Sequence, residues 1–131
     1  MKKIVLITGL VLLMMGCASV KENPNEINQQ LDSKSGKEIV LVKVVNDSRC
    51  PENVQCVWAG EVTVEVAAYD NKTLVEQRQF TFNKDTIDEI KNWFSEHLPK
   101  QNETLKNVSV VPYPKDAVVI QPKDYKIVLK Y

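Results

Sequence analysis

In the stretch Glu61–Phe82, EVTVEVAAYDNKTLVEQRQFTF, apolar and polar residues alternate from Glu61 to Tyr69, ahead of a turn. Val62, Val64 and Val66 fall on one face, and Glu61, Thr63 and Glu65 on the other. A period of two over this length is the pattern of a half-buried strand. Asp70-Asn71-Lys72 then supplies residues that tolerate tight turns, so the chain is expected to fold back as a hairpin into Thr73–Phe82. Phe80 and Phe82 share a face of that returning strand.

Working outward, Ile39-Val40-Leu41-Val42 is apolar on both faces, as in a covered or central strand. After the hairpin the period changes. Ile87, Ile90, Trp93 or Phe94, and Leu98 recur at helical spacing, with Asp85 as a capping residue, Asp88 and Glu89 in the first turns and Pro99 as the stop. One amphipathic helix is therefore expected over Thr86–His97. Strand character returns over Leu105–Val111 and is halted by Pro112 and Pro114. A short apolar run follows at Ala117–Ile120. In the last strand Tyr125, Ile127, Leu129 and Tyr131 point inward, and Lys126 and Lys130 outward. The expected fold class is mainly β: a small antiparallel β-sandwich or open barrel of five to six strands, with one helix over one end or face of the sheet.

The N-terminus has a different character. Lys2 and Lys3 precede an uncharged run from Ile4 to Met15, too short for a comfortable bilayer span and typical of an export signal. The sequence Leu13-Met14-Met15-Gly16-Cys17-Ala18-Ser19 resembles the bacterial lipobox, with Met14 and Met15 standing where the commonest pattern has Leu and a small residue. The resemblance implies cleavage after Gly16, a diacylglyceryl group on the Cys17 thiol and an acylated Cys17 amine. Two or three chains anchor stably, because each buried CH₂ contributes about 0.8 kcal/mol and one chain alone is marginal. The expected address is the bacterial cell envelope. With Ala18 and Ser19 after the cysteine, the protein would go to the outer membrane facing the periplasm in a host with two membranes, and otherwise to the outer face of the plasma membrane. The expected organisation is a signal peptide over residues 1–16, a lipidated flexible tether over 17–37 and a β domain over 38–131. The polar tether could reach roughly 60 Å at ~3.3 Å per residue.

Composition narrows the function. The precursor has 17 basic and 17 acidic residues. Loss of the signal removes Lys2 and Lys3 and leaves a net charge of about −2, with no basic excess to suggest nucleic acid binding. Of three cysteines, Cys17 is assigned to lipid, which leaves Cys50 and Cys56 in an oxidising setting. They are expected to form one structural disulfide, worth roughly 2–3 kcal/mol for so short a loop. The rival readings are a metal pair or a redox-active pair. The spacing is not CxxC, and no second ligand pair lies nearby.

The most distinctive segment is Asp47-Ser48-Arg49-Cys50-Pro51-Glu52-Asn53-Val54-Gln55-Cys56-Val57-Trp58-Ala59-Gly60. It resembles a DSRCP-x-x-V-x-C-V-W-A-G signature of small bacterial lipoproteins and exported proteins with no established activity. Val111-Pro112-Tyr113-Pro114 and the final strand fit the same pattern. The resemblance implies the architecture and the envelope location, and nothing catalytic.

Two readings of this segment compete. In the functional one, the closed loop is a recognition surface anchored by Arg49 and Trp58, residue types that dominate interface energetics. In the structural one, Trp58 packs on the disulfide to seal the core and Arg49 pairs locally with Asp47 or Glu52. Gly60 is expected to take a positive φ on the way into the next strand.

Catalytic signals are sparse. The lone histidine, His97, sits near the end of the expected helix, and no G-x-S-x-G, H-E-x-x-H, phosphate loop or Cys/His pairing occurs. The chain is read as a non-enzyme with no cofactor and no metal. Its expected partners are the membrane, through lipid on Cys17, and an envelope protein; no nucleic acid is expected. The alternatives are a small-ligand binder or sensor using a pocket between Trp93, Phe94 and the sheet, and an enzyme with an unfamiliar site built on Asp47, Arg49 and Asp124.

Overall fold

The structure, a computed structural model, describes residues 23–31 and 36–131. The signal peptide and Cys17 lie outside the described residues. Strands β1 (Glu26–Ile27), β2 (Lys37–Asp47), β3 (Val62–Asp70) and β4 (Thr73–Phe82) precede the helix α1 (Ile87–His97); β5 (Asn107–Val111) and β6 (Lys126–Lys130) follow it. They form two three-stranded antiparallel sheets, β2-β3-β4 and β1-β6-β5. Among the described residues this is a small β-sandwich with one α-helix, and the sheets do not close into a barrel.

The hairpin forms where expected. Asp70 pairs with Thr73, and the two residues between them, Asn71 and Lys72, both have positive φ, at 49° and 65°. Two successive positive φ angles make a type I′ turn, whose twist matches that of the flanking strands. Val62, Val64 and Val66 are buried, as is Phe80 on β4, while Phe82 packs against the core. The apolar stripe of α1 adds Ile90, Trp93 and Phe94. Ile127 and Leu129 of β6, with Val108 and Val110 of β5, close the core from the second sheet. Leu41, Val64, Val66, Ile90, Phe94 and Ile127 are essentially inaccessible to solvent. Each such side chain contributes roughly 1.5–3 kcal/mol by burial.

Three expectations need correction. The tether was expected to run to Lys37, yet residues 23–31 belong to the sandwich. Glu26 and Ile27 pair with Val128 and Ile127, Ile27 is buried, and the Leu41 amide donates to the Asn28 carbonyl. One apolar residue in a polar run suffices here, because β6 offers a backbone edge that Glu26–Ile27 can pair with. Second, the covered-or-central reading of Ile39–Val42 narrows to covered: β2 is an edge strand of its sheet, and β3 holds the middle. Ile39, Val40 and Leu41 are buried all the same, whereas Val42 is exposed where the register shifts between Leu41 and Lys43. Third, the helix N-cap is Thr86 and not Asp85; the Asn83 side chain accepts from the amides of both Asp85 and Thr86.

The sandwich has two dissimilar ends. At one, β2 and β3 connect through residues 48–61 and β5 and β6 through residues 112–125. At the other lie the Asn71-Lys72 turn, the end of α1, the end of β6 and the incoming chain at Asn25, whose carbonyl accepts from Leu129 N.

Candidate functional site

The two long loops at the first end are locked to each other. Antiparallel pairing continues beyond β2 and β3: Ser48 N donates to Glu61 O at 2.8 Å and Cys50 N to Ala59 O at 2.9 Å. Gly60 makes this possible. Its φ is +68°, and a Cβ there would lie 1.8 Å from the Ser48 carbonyl oxygen. The expected Cys50–Cys56 disulfide is present, with a Cα–Cα distance of 5.9 Å. Glu52 N then donates to Pro114 O at 2.9 Å, tying the tip of the first loop to the second.

Beneath the loops sits an ionic clamp. Arg49 grips Asp47 through two parallel hydrogen bonds, Nε to Oδ1 at 2.8 Å and Nη2 to Oδ2 at 2.7 Å. The same guanidinium donates to Val110 O at 2.6 Å and to Pro112 O at 3.0 Å, and it lies 5.1 Å from the Tyr113 ring centre. Tyr125 completes the group by donating its hydroxyl to Asp47 Oδ2 at 3.0 Å. The side chains of Arg49 and Asp47 are only 9% and 10% exposed. A fork-to-carboxylate pair of this kind is charge-assisted and fixed in direction. Burial pushes the Asp47 carboxyl up; the hydrogen bonds and charge of Arg49, helped by Tyr125, outweigh it and hold the group below its ordinary value of 3.8. Burial, then Asp47 itself, pushes the Tyr125 phenol above its ordinary value of 10.0.

The two residues singled out for recognition therefore part company. Arg49 is not a recognition anchor, because its donors are spent on Asp47, Val110 and Pro112 inside the fold. Trp58 does not seal the core: it stands 80% exposed, beside Val57 at 89%. Val119 on the neighbouring loop is 81% exposed, and Val118, Tyr113 and Val54 are exposed as well. The three most exposed large apolar side chains of the described residues thus all lie on these clamped loops. Sequence reasoning missed the contribution of Val118 and Val119. Their signal was available: an apolar run between Pro114 and Pro122 with no alternation to give it a buried face.

The other candidates dissolve into structure. Trp93 and Phe94 fill the helix–sheet junction, in ring contact with each other and with Phe80. A polar, open cleft lies elsewhere, at the opposite end, lined by Asn25, Gln101, Asn102, Glu103, Lys130 and Tyr131 together with Leu129. His97 stacks on Trp93, meets the Trp93 carbonyl through Nδ1 at 2.8 Å and faces Glu76 at 3.4 Å. Of the residues named for the enzyme alternative, Asp47 and Arg49 pair with each other, and Asp124 ends a short 3-10 turn in which its amide donates to Gln121 O. Among the described residues no group of three or more His, Cys, Asp or Glu side chains converges to hold a metal ion, and no helix is long and apolar enough to cross a membrane.

Compared with known protein families, characterised proteins and solved structures, this chain matches none.

Proposed function

We propose that this protein is a lipid-anchored module of the bacterial envelope, held to a membrane through Cys17 and docking an envelope protein through the clamped loops, without catalysis. The observation that carries the reading is the exposure of Val57, Trp58 and Val119 on loops that a disulfide and a largely buried ion pair hold together. Exposed apolar side chains scattered singly are ordinary, but several at one end of the fold, with a tryptophan of the type enriched in binding hot spots among them, favour an interaction surface. Rigidity matters because a preordered loop loses less conformational entropy on binding. The partner surface that fits is an apolar pocket able to take the Trp58 indole, flanked by a shallow apolar strip for Val57 and Val119.

The test is crosslinking of the full-length protein in cells, followed by mass spectrometry, comparing native protein with Trp58→Ala and with Cys17→Ala. A partner recovered with the native chain and lost with Trp58→Ala, at unchanged protein level, supports docking through the loops. Equal recovery with Trp58→Ala would overturn that role. Cys17→Ala reports separately on the anchor, by release of the protein from the membrane fraction.

A further inference from the structure

We infer that the sandwich stands end-on, with the end that carries Asn25 and Lys130 against the lipid headgroups and Trp58 pointing away from the bilayer. This rests on the lipid-anchor reading of Cys17 and deepens it, by naming the face that meets the membrane. Two observations support it. First, the chain joins the fold far earlier than its polar composition implies. Glu26 N donates to Asn23 O, Leu129 N donates to Asn25 O, and Glu26 pairs with Val128. Only five residues lie between Cys17 and Asn23, so six residue steps give a reach of about 20 Å and not the roughly 60 Å of a tether running to Lys37.

Second, the point of entry is at the end opposite the clamped loops. β1 runs antiparallel to β6, whose first residue, Lys126, pairs with Val111 beside the clamp and whose last, Lys130, lies at the far end. The nine residues of β3 alone separate the two ends by about 30 Å. A chain of about 20 Å holds the near end close to the bilayer and leaves Trp58 beyond it.

The chemistry of the near end agrees. Lys37, Lys72, Lys100, Lys106 and Lys130 are exposed there, interspersed with Asp70, Glu96 and Glu103. A wet, mixed-charge surface with a lysine excess suits anionic headgroups, each lysine near such a surface contributing about 1 kcal/mol. Leu74 and Val75 are half-exposed beside the Asn71-Lys72 turn, but the three most exposed large apolar side chains, Val57, Trp58 and Val119, lie at the other end.

The experiment uses the full-length protein, purified with its lipid from cells and reconstituted in mixed phosphatidylethanolamine–phosphatidylglycerol vesicles containing headgroup-spin-labelled lipid. Lys72→Cys, Lys100→Cys, Trp58→Cys and Val119→Cys variants carry an environment-sensitive fluorophore, one at a time. Quenching at positions 72 and 100 severalfold stronger than at 58 and 119 is expected. Stronger quenching at 58 and 119, or equal quenching at all four, would overturn the orientation. The mass of the mature protein separates the two readings: a chain without acyl groups would overturn the anchor and the orientation with it, whereas an acylated chain quenched at position 58 would overturn the orientation alone.

Discussion

Replacing Arg49 by methionine should be among the most damaging single changes outside the apolar core. Methionine keeps much of the volume and removes every hydrogen-bond donor. The Asp47 carboxylate, 10% exposed, would then keep only the Tyr125 hydroxyl and the Arg49 amide as partners. The carbonyls of Val110 and Pro112 would lose the donors that join the two loops. Removing one member of a buried pair leaves an uncompensated charge, at a cost of about 3–5 kcal/mol. The lower figure suits a pair at the rim of the fold, where water can enter. A loss of about 3 kcal/mol lowers the urea midpoint by about 1.5 M at a slope near 2 kcal/mol/M. The assay is urea unfolding followed by Trp93 fluorescence, for Arg49→Met, Asp47→Asn and the double variant. The double variant should lose little more than Arg49→Met alone, with a coupling energy of at least about 1.5 kcal/mol. An Arg49→Met loss below about 1 kcal/mol, the range of an exposed ion pair, would refute the clamp.

The same pair sets an acid dependence. Asp47 is held below its ordinary value of 3.8 in the folded chain, so its stabilisation is complete above that value and is lost as pH falls through the folded value. The gap in unfolding free energy between native protein and Asp47→Asn should therefore be constant near neutrality and close in strong acid, as denaturant titrations at stepped pH would reveal; a gap that widens in acid would reverse the sign of the argued shift. Gly60→Ala should cost about 2 kcal/mol or more, since the added Cβ both meets the Ser48 carbonyl and strains a positive φ; differential scanning calorimetry checks it, and an unchanged Tm would contradict it. Lys72→Gly should stabilise by about 0.5 kcal/mol, because it creates the Asn-Gly pair that a type I′ turn favours, read as a raised urea midpoint.

Most of the architecture was legible because it depends on local periodicity. The alternation of Val62, Val64 and Val66, the turn at Asn71-Lys72 and the helical spacing of Ile90, Trp93 and Phe94 each specify an element within a few residues. What escaped reading depends on partners distant in sequence. Nothing in Asn25-Glu26-Ile27 announces a strand, because its hydrogen bonds come from β6, about a hundred residues later. Asp47 and Arg49 were visible as a local pair, yet the reason Arg49 is buried lies in the carbonyls of Val110 and Pro112 and the ring of Tyr113. Trp58 shows the same limit from the other side. Its size argues for the core, but Gly60 and the disulfide fix the chain path so that the loop tip projects outward. The exposed pair Val118-Val119 follows Ala117, whose φ of +58° turns the chain and denies that run a regular strand.

Docking through the loop tip can be tested most directly by placing a photoreactive residue at position 58 of the full-length protein in living cells, with Gln79 on β4 as the reference position. Irradiation should yield one reproducible protein adduct from position 58, absent from position 79 and abolished by Gly60→Ala, which displaces the loop while leaving Cys17 in place. Adducts to lipid alone, or the same adducts from both positions, would contradict docking through the clamped loops.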